Sequence, residues 1–222
     1  MVTNPKKTKM TTLRKELPYI LLALIPFIYL AFIWNNLPET VPMHWNGKGE
    51  IDRYGSKNEL WGIVAMLSGL GYFLFLIIPK IDPRGKLEKM GNKLDNLRLI
   101  LALFMSAMAT YIIYSVQQTE SKPTLIFTLI GLLFAGLGNY FKTIKPNYFI
   151  GIRTPWTLEN EEVWKKTHLF GGKLWFIGGL LIFILSLIIP NDISAYLMIS
   201  VTIFISVVPI IYSYLEFKKL KA

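Results

Sequence analysis

The sequence predicts an all-α membrane protein, built as a six-helix transmembrane bundle with both termini in the cytoplasm. Hydrophobic residues make up 53% of the 222 residues and charged residues only 17%, whereas a soluble domain carries roughly 25% charged residues. The charges cluster between long apolar runs. Six runs without Asp, Glu, Lys, Arg or His approach or exceed the about 20 residues that cross a bilayer as a helix. They cover residues 17–38, 60–79, 99–119, 123–141, 174–191 and 193–215.

We interpret the runs as helices because backbone polar groups in lipid must be paired within the protein, and the period-two alternation of a β-barrel is absent. The first run is predicted to remain an uncleaved span, since it is longer than the apolar part of a secretion signal and no small-x-small site follows Trp34. The fifth run is the shortest, and it can gain a turn from the residues before it. Pro26 and Pro209 can kink the first and sixth spans, and Gly131 with Ala135 fits a small-xxx-small helix contact.

Composition also excludes several classes of protein. The chain has no cysteine, which excludes disulfide scaffolds, thiolate metal sites and cysteine nucleophiles. Its net charge of +10 would suit nucleic acid if the basic residues formed one exposed face. They lie instead at the ends of apolar runs, which favours the anionic surface of the lipid bilayer as the partner over direct binding of nucleic acid.

The distribution of basic residues predicts the orientation of the chain, because cytoplasmic loops carry an excess of Lys and Arg. Twenty of the 24 basic residues lie in segment 1–16, in the loops 80–98 and 142–173, and in the tail after the sixth span. The other four lie in the loops after the first and third spans. Both termini are therefore predicted to be cytoplasmic, and the first loop, residues 38–59, extracellular.

The second loop, residues 80–98, is predicted to contain a short cytoplasmic interfacial helix. Leu87, Met90, Leu94 and Leu97 are spaced to share one helical face, and basic residues cover the rest. A basic amphipathic helix of this kind lies in the lipid headgroup region. The alternative is that the same face docks a cytoplasmic partner.

The first loop is predicted to be compact and ordered. Its prolines keep the preceding residues extended, a strand-like piece surrounds Val41 and Met43, and Asn46-Gly47 supplies a turn. Aromatic and polar groups then form a candidate extracellular ligand surface. Its members are Pro42, His44, Trp45, Asn46 and Asp52. The alternative is that the aromatic residues Trp45 and Tyr54 merely belong to the interfacial aromatic belt.

The fourth loop, residues 142–173, is predicted to hold a second short cytoplasmic helix. Thr154 or Thr157 can cap it, and Pro155 suits its first turn. The helix is expected from about residue 157 to about residue 169, and Gly171-Gly172 is expected to end it before the fifth span. Arg153 is flanked by apolar residues, so it either pairs with a carboxylate or binds phosphate headgroups.

The pattern of ionisable residues argues against catalysis. Intramembrane chemistry or ion coupling requires ionisable residues inside a span, and the six runs contain none. His44 and His168 lie on opposite sides of the membrane by the charge count, so they cannot share a metal ion. We therefore predict a protein that is not an enzyme and that needs no metal or cofactor.

Two loop motifs resemble a known bacterial family. The first-loop motif consists of Leu37-Pro38, Val41-Pro42, His44-Trp45-Asn46, Gly49 and Asp52, and it resembles the small extracytoplasmic module called DUF1648. The fourth-loop motif consists of Gly151-Ile152-Arg153-Thr154-Pro155-Trp156-Thr157-Leu158, Val163-Trp164, His168 and Gly171-Gly172, and it resembles the signature of the SdpI family. Together the motifs and six spans cover essentially the whole chain.

The resemblance implies a multi-pass protein of the bacterial cell membrane that confers immunity to a secreted toxic peptide, the sporulation-delaying killing factor. It also implies signalling, in which the toxin-bound protein holds a cytoplasmic ArsR-type transcriptional repressor at the membrane. The signature loop is then the candidate partner site. Its candidate residues are Gly151, Arg153, Thr154, Pro155, Trp156, Thr157, Trp164, His168, Gly171 and Gly172. The alternatives are a small transporter or permease component for an amphipathic substrate, and a structural membrane protein without a ligand.

The domain organisation follows from the spans and the motifs. A basic amino-terminal segment, 1–16, precedes a DUF1648-like module, 17–79, which includes the first loop. The amphipathic linker, 80–98, leads to the third and fourth spans, 99–141. The signature loop, 142–173, precedes the last two spans and the basic tail, 174–222.

Overall fold

The computed structural model of the chain describes residues 5–46, 50–81, 87, 90–118 and 123–221. In these residues, six helices are long and apolar enough to cross a membrane. Their spanning segments are Arg14–Asn36, Glu59–Ile81, Asn92–Ser115, Thr124–Phe141, Glu161–Ser186 and Ile193–Leu220. The six-span prediction is confirmed, and the chain is a multi-pass membrane protein.

In the part of the chain that the structure describes, the regular secondary structure is helical apart from one hairpin. In chain order the elements are α1 (Pro5–Ile33), a 3₁₀ turn (Trp34–Asn36), β1 (Thr40–Trp45), β2 (Ile51–Ser56), α2 (Glu59–Val64), a π-helical stretch (Ala65–Leu70), α3 (Gly71–Ile81), α4 (Asn92–Ser115), α5 (Pro123–Phe141), α6 (Pro155–Glu159), α7 (Glu161–Ser186) and α8 (Asn191–Lys221). The second span is the continuous run of α2, the π-helical stretch and α3. Because the number of spans is even, both termini lie at one end of the bundle, here called the terminal end. The opposite end carries β1 and β2 and is called the hairpin end.

Large apolar side chains cover the outside of the bundle. Phe32, Ile177 and Ile188 are each exposed over more than half of their surface. A continuous apolar exterior of this kind is unstable in water but matches the hydrocarbon of a bilayer, whose chains are as apolar as these side chains. The exterior therefore supports contact with the lipid bilayer.

The closest helix pair is α5 with α7, and glycines bring their backbones together. A Cβ added at Gly131 would lie 2.6 Å from the Phe183 backbone nitrogen, and one added at Gly138 would lie 2.3 Å from that of Phe176. Gly172 and Gly179 face them from α7 with equally close backbone approaches. The predicted small-residue contact at Gly131 and Ala135 is therefore confirmed, and it extends along the helix by about one more turn, to Gly138.

The fourth-loop helix differs from its prediction. Gly171-Gly172 does not end a helix, because α7 runs from Glu161 to Ser186 without interruption. The physical reason is packing, since Gly172 meets the backbone of Gly138, and a Cβ at Gly171 would lie 2.6 Å from Cδ1 of Ile152. The predicted helix over 157–169 is instead split in two at Asn160, which caps the start of α7.

The linker 80–98 also differs from its prediction where it is described. Leu87, Met90, Leu94 and Leu97 are all buried, in a cluster that includes Tyr140, Phe141, Ile144 and Trp164. Leu94 and Leu97 belong to α4, which begins at Asn92. The apolar face therefore packs against the terminal ends of α5 and α7 rather than against lipid headgroups. Residues 82–86, 88 and 89 lie outside the described residues.

Candidate functional site

The first candidate site is the hairpin of β1 and β2. The strands are antiparallel, and Pro42 pairs with Tyr54, His44 with Arg53, and Trp45 with Ile51. The backbone of Asn46 donates to the carbonyl of Glu50 at 2.9 Å, and the two side chains share a hydrogen bond of 2.7 Å. These bonds close the strands around the predicted turn, of which residues 47–49 lie outside the described residues.

The hairpin is seated on the ends of three spans. Val41 is fully buried, in an apolar cluster with Leu30 and Ile33 of α1, Leu60 and Val64 of α2, and Ile113 of α4. Lys57 fixes the base of the hairpin: its Nζ lies 2.9 Å from Oε1 of Glu39 and 4.9 Å from the centre of the Trp34 ring. The hairpin is therefore part of the bundle rather than a free loop.

The five residues predicted as a ligand surface divide between two faces of the hairpin. His44 and Asp52 point outward, with side chains 63% and 44% exposed, and their Nδ1 and Oδ1 atoms lie 2.5 Å apart. Pro42 is buried, and Trp45 packs against the apolar cluster at the hairpin end, with its Nε1 buried and without a hydrogen-bond partner among the described residues. A ligand approaching the outer face therefore meets His44 and Asp52, whereas Pro42 and Trp45 hold the hairpin on the bundle.

Sequence reasoning did not assign Arg53 and Tyr54 to this surface, yet both are exposed beside His44 and Asp52. The guanidinium of Arg53 lies 3.8 Å from a carboxylate oxygen of Glu59. The alternation of β2 places Tyr54 on the same face as Asp52 and Arg53 on the opposite face, so the strand pattern could have identified Tyr54. The exposed side chains of the hairpin thus combine an imidazole, a guanidinium, a carboxylate and a phenol.

The second candidate site is the signature loop at the terminal end, which begins with a tight turn around Asn147. The buried Asn147 amide donates to the carbonyls of Lys145 and Ile150, and its oxygen accepts from the backbone N–H groups of Phe149 and Ile150 at 2.8 and 2.7 Å. One side chain therefore satisfies four backbone groups. Sequence reasoning missed Asn147, although proline is favoured at the first central position of a turn and an asparagine side chain can bond the backbone two residues on.

His168 joins this loop to α7. Its Nε2 accepts the backbone N–H of Ile152 at 2.9 Å, and its Nδ1 lies 2.8 Å from the carbonyl of Trp164. Accepting at one nitrogen and donating at the other requires a neutral ring with its proton on Nδ1. The indole of Trp164 stacks on the imidazole with ring centres 4.1 Å apart, and its Nε1 donates to the Ile144 carbonyl at 2.9 Å. His168 and Trp164 therefore hold the loop through its backbone at Ile152 and Ile144.

A hydroxyl cluster fixes the start of α6. Thr154 caps the helix as predicted: its Oγ1 accepts from the Thr157 backbone, while Thr157 Oγ1 accepts from the Thr154 backbone. Thr154 also lies 3.1 Å from the hydroxyl of Ser213 on α8. Pro155 takes the first turn, as expected, and Trp156 packs on Tyr214 of α8 with ring centres 5.1 Å apart. The loop is thereby held against α8 as well as α7.

The signature residues separate into a buried frame and an exposed face. Thr154, Thr157, Trp164, His168, Gly171 and Gly172 are buried. The exposed members of α6 and its flank are Arg153, Pro155, Leu158 and Glu159. Arg153 donates to the carbonyl of Tyr148. Among the described residues it has no carboxylate partner, so the first of the two predicted roles for Arg153, pairing with a carboxylate, is not seen there.

Sequence reasoning also missed a charged pair inside the first half of the bundle. The guanidinium of Arg98 on α4 makes two parallel contacts with the carboxylate of Glu16 on α1, at 2.7 and 3.1 Å. Tyr72 of α3 donates to the same carboxylate at 3.3 Å, and the Tyr19 ring stacks on the guanidinium at 4.3 Å. The two charges stand 82 positions apart, so only their places beside apolar runs were visible in the sequence.

No group of three or more His, Cys, Asp and Glu side chains that could hold a metal ion occurs among the residues that the structure describes. The pair of His44 and Asp52 offers one imidazole and one carboxylate, fewer than the three protein ligands of a typical zinc site. The chemistry that the two sites offer is recognition by hydrogen bonds, charge and aromatic contact.

Comparison with known proteins connects both sites to one family. The profile of the SdpI/YfhL protein family matches residues 143–213, and the profile of a domain of unknown function, DUF1648, matches residues 21–67. The chain is 26% identical over 208 residues to "Immunity protein SdpI" of Bacillus subtilis, covering 94% of this chain and 98% of that protein. It is 40% identical over 66 residues to an uncharacterized protein of Archaeoglobus fulgidus, covering 30% of this chain and 35% of that protein. No solved structure matches. The two profiles match in order within six spans, and these matches confirm the predicted resemblance of the chain to the SdpI/YfhL protein family.

Proposed function

We propose that this chain is an immunity protein that protects the cell membrane from a secreted toxic peptide. One observation carries the proposal: the likeness to a protein named for immunity extends over 94% of this chain and 98% of that relative. A likeness that includes both loops and all six spans favours a shared role more strongly than a shared module would. On this proposal the protein acts by binding and not by catalysis.

The hairpin is the proposed receptor for the peptide. Its exposed side chains are His44, Asp52, Arg53 and Tyr54, and the excess of basic residues at the other end of the bundle predicts that the hairpin lies outside the cell. The hairpin is braced by Lys57 and by the apolar cluster beneath Val41. Because a braced surface loses little conformational entropy on binding, more of the contact energy is available as affinity.

Two helices connect the proposed receptor to the terminal end. α1 carries Leu30 in the hairpin-end cluster and Glu16 near its other end, and α4 carries Ile113 in that cluster and Arg98 near its start. A ligand shifts such a bundle only if it binds two arrangements with different affinity. We propose that peptide binding changes the packing of α1 on α4, and that the change reaches α5 and α7 through the cluster around Leu97 and Trp164.

The exposed face of the signature loop is the proposed site for a cytoplasmic partner, an ArsR-type repressor. Arg153, Leu158 and Glu159 offer a cation, an apolar side chain and an anion on one short helix and its flank. The buried frame of His168 and Trp164 sets the position of this face without contacting a partner. Substitutions on the exposed face are therefore expected to weaken binding of the partner, whereas substitutions in the buried frame are expected to destabilise the fold of the loop.

The experiment is a toxin challenge. The chain and its variants are produced in a Bacillus strain that lacks its own immunity protein, and growth is measured with the sporulation-delaying killing factor. The wild-type chain is expected to restore growth, and His44→Ala/Asp52→Ala to lose protection at an unchanged membrane level. Thr40→Ala, an exposed change elsewhere on β1, is the matched control. Killing of cells that contain normal amounts of the wild-type chain would refute protection against this peptide.

A second candidate function is transport of an amphipathic substrate, because a groove of about 530 Å³ lies between α1, α4 and α5. Tyr29, Ser106, Thr110 and Tyr114 contribute hydroxyl groups to a groove whose lining is otherwise apolar. The two functions are separated by reconstitution: a transporter moves a labelled amphiphile across a liposome membrane, whereas an immunity protein binds the peptide without net movement.

A further inference from the structure

A cavity of about 120 Å³ lies inside the first half of the bundle, between α1, the second span and α4. Its walls are almost entirely apolar and include Ala23, Leu67 and Met105. Seven residues separate Arg98 from Met105 along α4, so the cavity extends about 10 Å along the helix axis. It belongs to neither the hairpin nor the signature loop.

Small residues and an irregular helix create this space. Ala23, Gly71 and Ala102 line the cavity. A Cβ added at Gly71 would first meet the Met105 side chain, at 3.9 Å, so no backbone of a neighbouring helix packs against Gly71. The second span is π-helical from Ala65 to Leu70, directly beside the cavity. Short π-helical segments within α-helices occur frequently at functional sites.

Two buried polar atoms of the lining residues have no hydrogen-bond partner in the described part of the chain. They are Oγ of Ser68, in the π-helical stretch, and Nε of Arg98. Both residues are more than nine-tenths buried. Buried polar groups in folded proteins are almost always paired with protein, ordered water or a ligand, so these two atoms point to an occupant that offers a hydrogen-bonding group.

The charges around the cavity select a neutral occupant. The guanidinium of Arg98 is already matched by the carboxylate of Glu16, and a carboxylate oxygen of Asp95 lies 3.8 Å from it. A second anion would therefore be repelled by two carboxylates. A cation would lie among walls that are almost entirely apolar, where few acceptors replace its hydration. An uncharged hydroxyl or ester oxygen can accept from the free N–H of Arg98 without repulsion and without the desolvation of a charge.

We propose that this cavity binds a neutral single-chain amphiphile. The hydrocarbon chain lies along Leu67, Ala102 and Met105, and a hydroxyl or ester oxygen accepts from Nε of Arg98 and pairs with the Ser68 hydroxyl. The cavity of about 120 Å³ is smaller than the about 150 Å³ that holds benzene, so it takes the head group and the carbon atoms next to it, and the rest of the chain extends into the bilayer. The bilayer around the helices supplies such molecules at high concentration.

The test is photolabelling of the full chain in nanodiscs. Three probes share one alkyl chain with a diazirine and differ only in the head group: an alcohol, a carboxylate and an ammonium. The alcohol is expected to label the segments 67–75 and 98–105, and the two charged probes to label them about tenfold less, a difference of about 1.4 kcal/mol in binding free energy. Equal or stronger labelling by a charged probe would overturn the proposal.

Two variants make the test specific. Ala102→Phe fills the cavity and is expected to reduce labelling by the alcohol about tenfold, whereas Ala31→Phe, an exposed position on α1, leaves labelling unchanged. Ser68→Ala removes a hydroxyl that has no partner in the structure, so folding is kept while labelling falls. If Ala102→Phe and Ala31→Phe are labelled alike at 67–75 and 98–105, the probe is on the outer surface and the proposal is wrong.

Discussion

Gly151 and His168 fit together so closely that a Cβ at position 151 would lie 2.4 Å from the imidazole Nε2. Gly151 also has a φ of +110°, a backbone conformation that residues with a Cβ rarely adopt. The next residue, Ile152, donates its N–H to the same Nε2. The glycine and the histidine are thus one unit, in which the bend at 151 presents the backbone of 152 to the ring.

Gly151→Ala is predicted to destabilise the protein. Strain at the positive φ costs about 1–3 kcal/mol, and the methyl group would also displace the ring of His168. Thermal unfolding in nanodiscs, followed by tryptophan fluorescence, measures the effect. Gly62→Ala is the matched control, because nothing lies within 4 Å of a Cβ there. If the two variants unfold alike, the fit between Gly151 and His168 is not important for stability.

His168→Phe is predicted to free the signature loop while keeping a ring of similar shape. The Ile152 N–H loses its acceptor, and leaving such a donor unpaired costs about 1–3 kcal/mol. Limited proteolysis near residues 147–153 is expected to become faster. His44→Phe, at an exposed position, should leave the cleavage rate there unchanged, and equal rates in both variants would contradict the proposed role of His168.

The spans were predictable because lipid imposes a length and a composition on each helix. The hairpin was predictable because its prolines and the Asn-Gly pair act locally. The cap at Thr154 was also predicted, since a threonine before Pro155 satisfies the first backbone N–H groups wherever the helix lies. These features depend on neighbours in the chain and on the solvent, and both are known before the tertiary structure.

What the sequence did not predict depends on partners that are distant in the chain. Gly171-Gly172 was interpreted as a helix end, but glycine also permits close helix packing, and only the position of Gly138 decides between these roles. An apolar helical face, such as that of Leu94 and Leu97, suits lipid and protein equally well. The pairing of Glu16 with Arg98 joins the first span to the third and leaves no local pattern.

Gly138→Ala is predicted to push α5 away from α7. The new Cβ would lie 2.3 Å from the backbone nitrogen of Phe176, which cannot move without shifting the helix. Overpacking of this kind costs about 1–3 kcal/mol, so the midpoint of thermal unfolding should fall. The control on the same helix is Gly136→Ala, whose Cβ would meet only the end of the Ile100 side chain at 3.4 Å. An equal fall for both variants would argue against glycine-mediated contact.

Arg98→Met is predicted to destabilise the protein by about 3 kcal/mol, the lower part of the range for breaking a buried ion pair. The side chains of Arg98 and Glu16 are only 10% and 20% exposed, so the remaining carboxylate would be left poorly solvated. Arg53→Met is the control at an exposed pair, where the loss should be about 0–1 kcal/mol. These values come from equilibrium unfolding of the purified variants.

The double variant Glu16→Leu/Arg98→Met should be more stable than Arg98→Met alone, because removing both charges leaves none unpaired. This comparison distinguishes the ion pair from simple packing by the long arginine side chain. If the double variant is no more stable than Arg98→Met, the loss arises from packing and the carboxylate of Glu16 is adequately solvated without its partner.

The orientation of the bundle is open to a direct labelling test, because the chain contains no cysteine and each introduced thiol is therefore unique. Tyr54→Cys is placed on the exposed outer face of the hairpin, and Leu158→Cys on the exposed side of α6. The excess of basic residues at the terminal end predicts that a membrane-impermeant maleimide labels position 54 in intact cells, and position 158 only after permeabilisation. The opposite pattern would place the hairpin inside the cell, where it could not meet a secreted peptide, and the proposed receptor role would have to be abandoned.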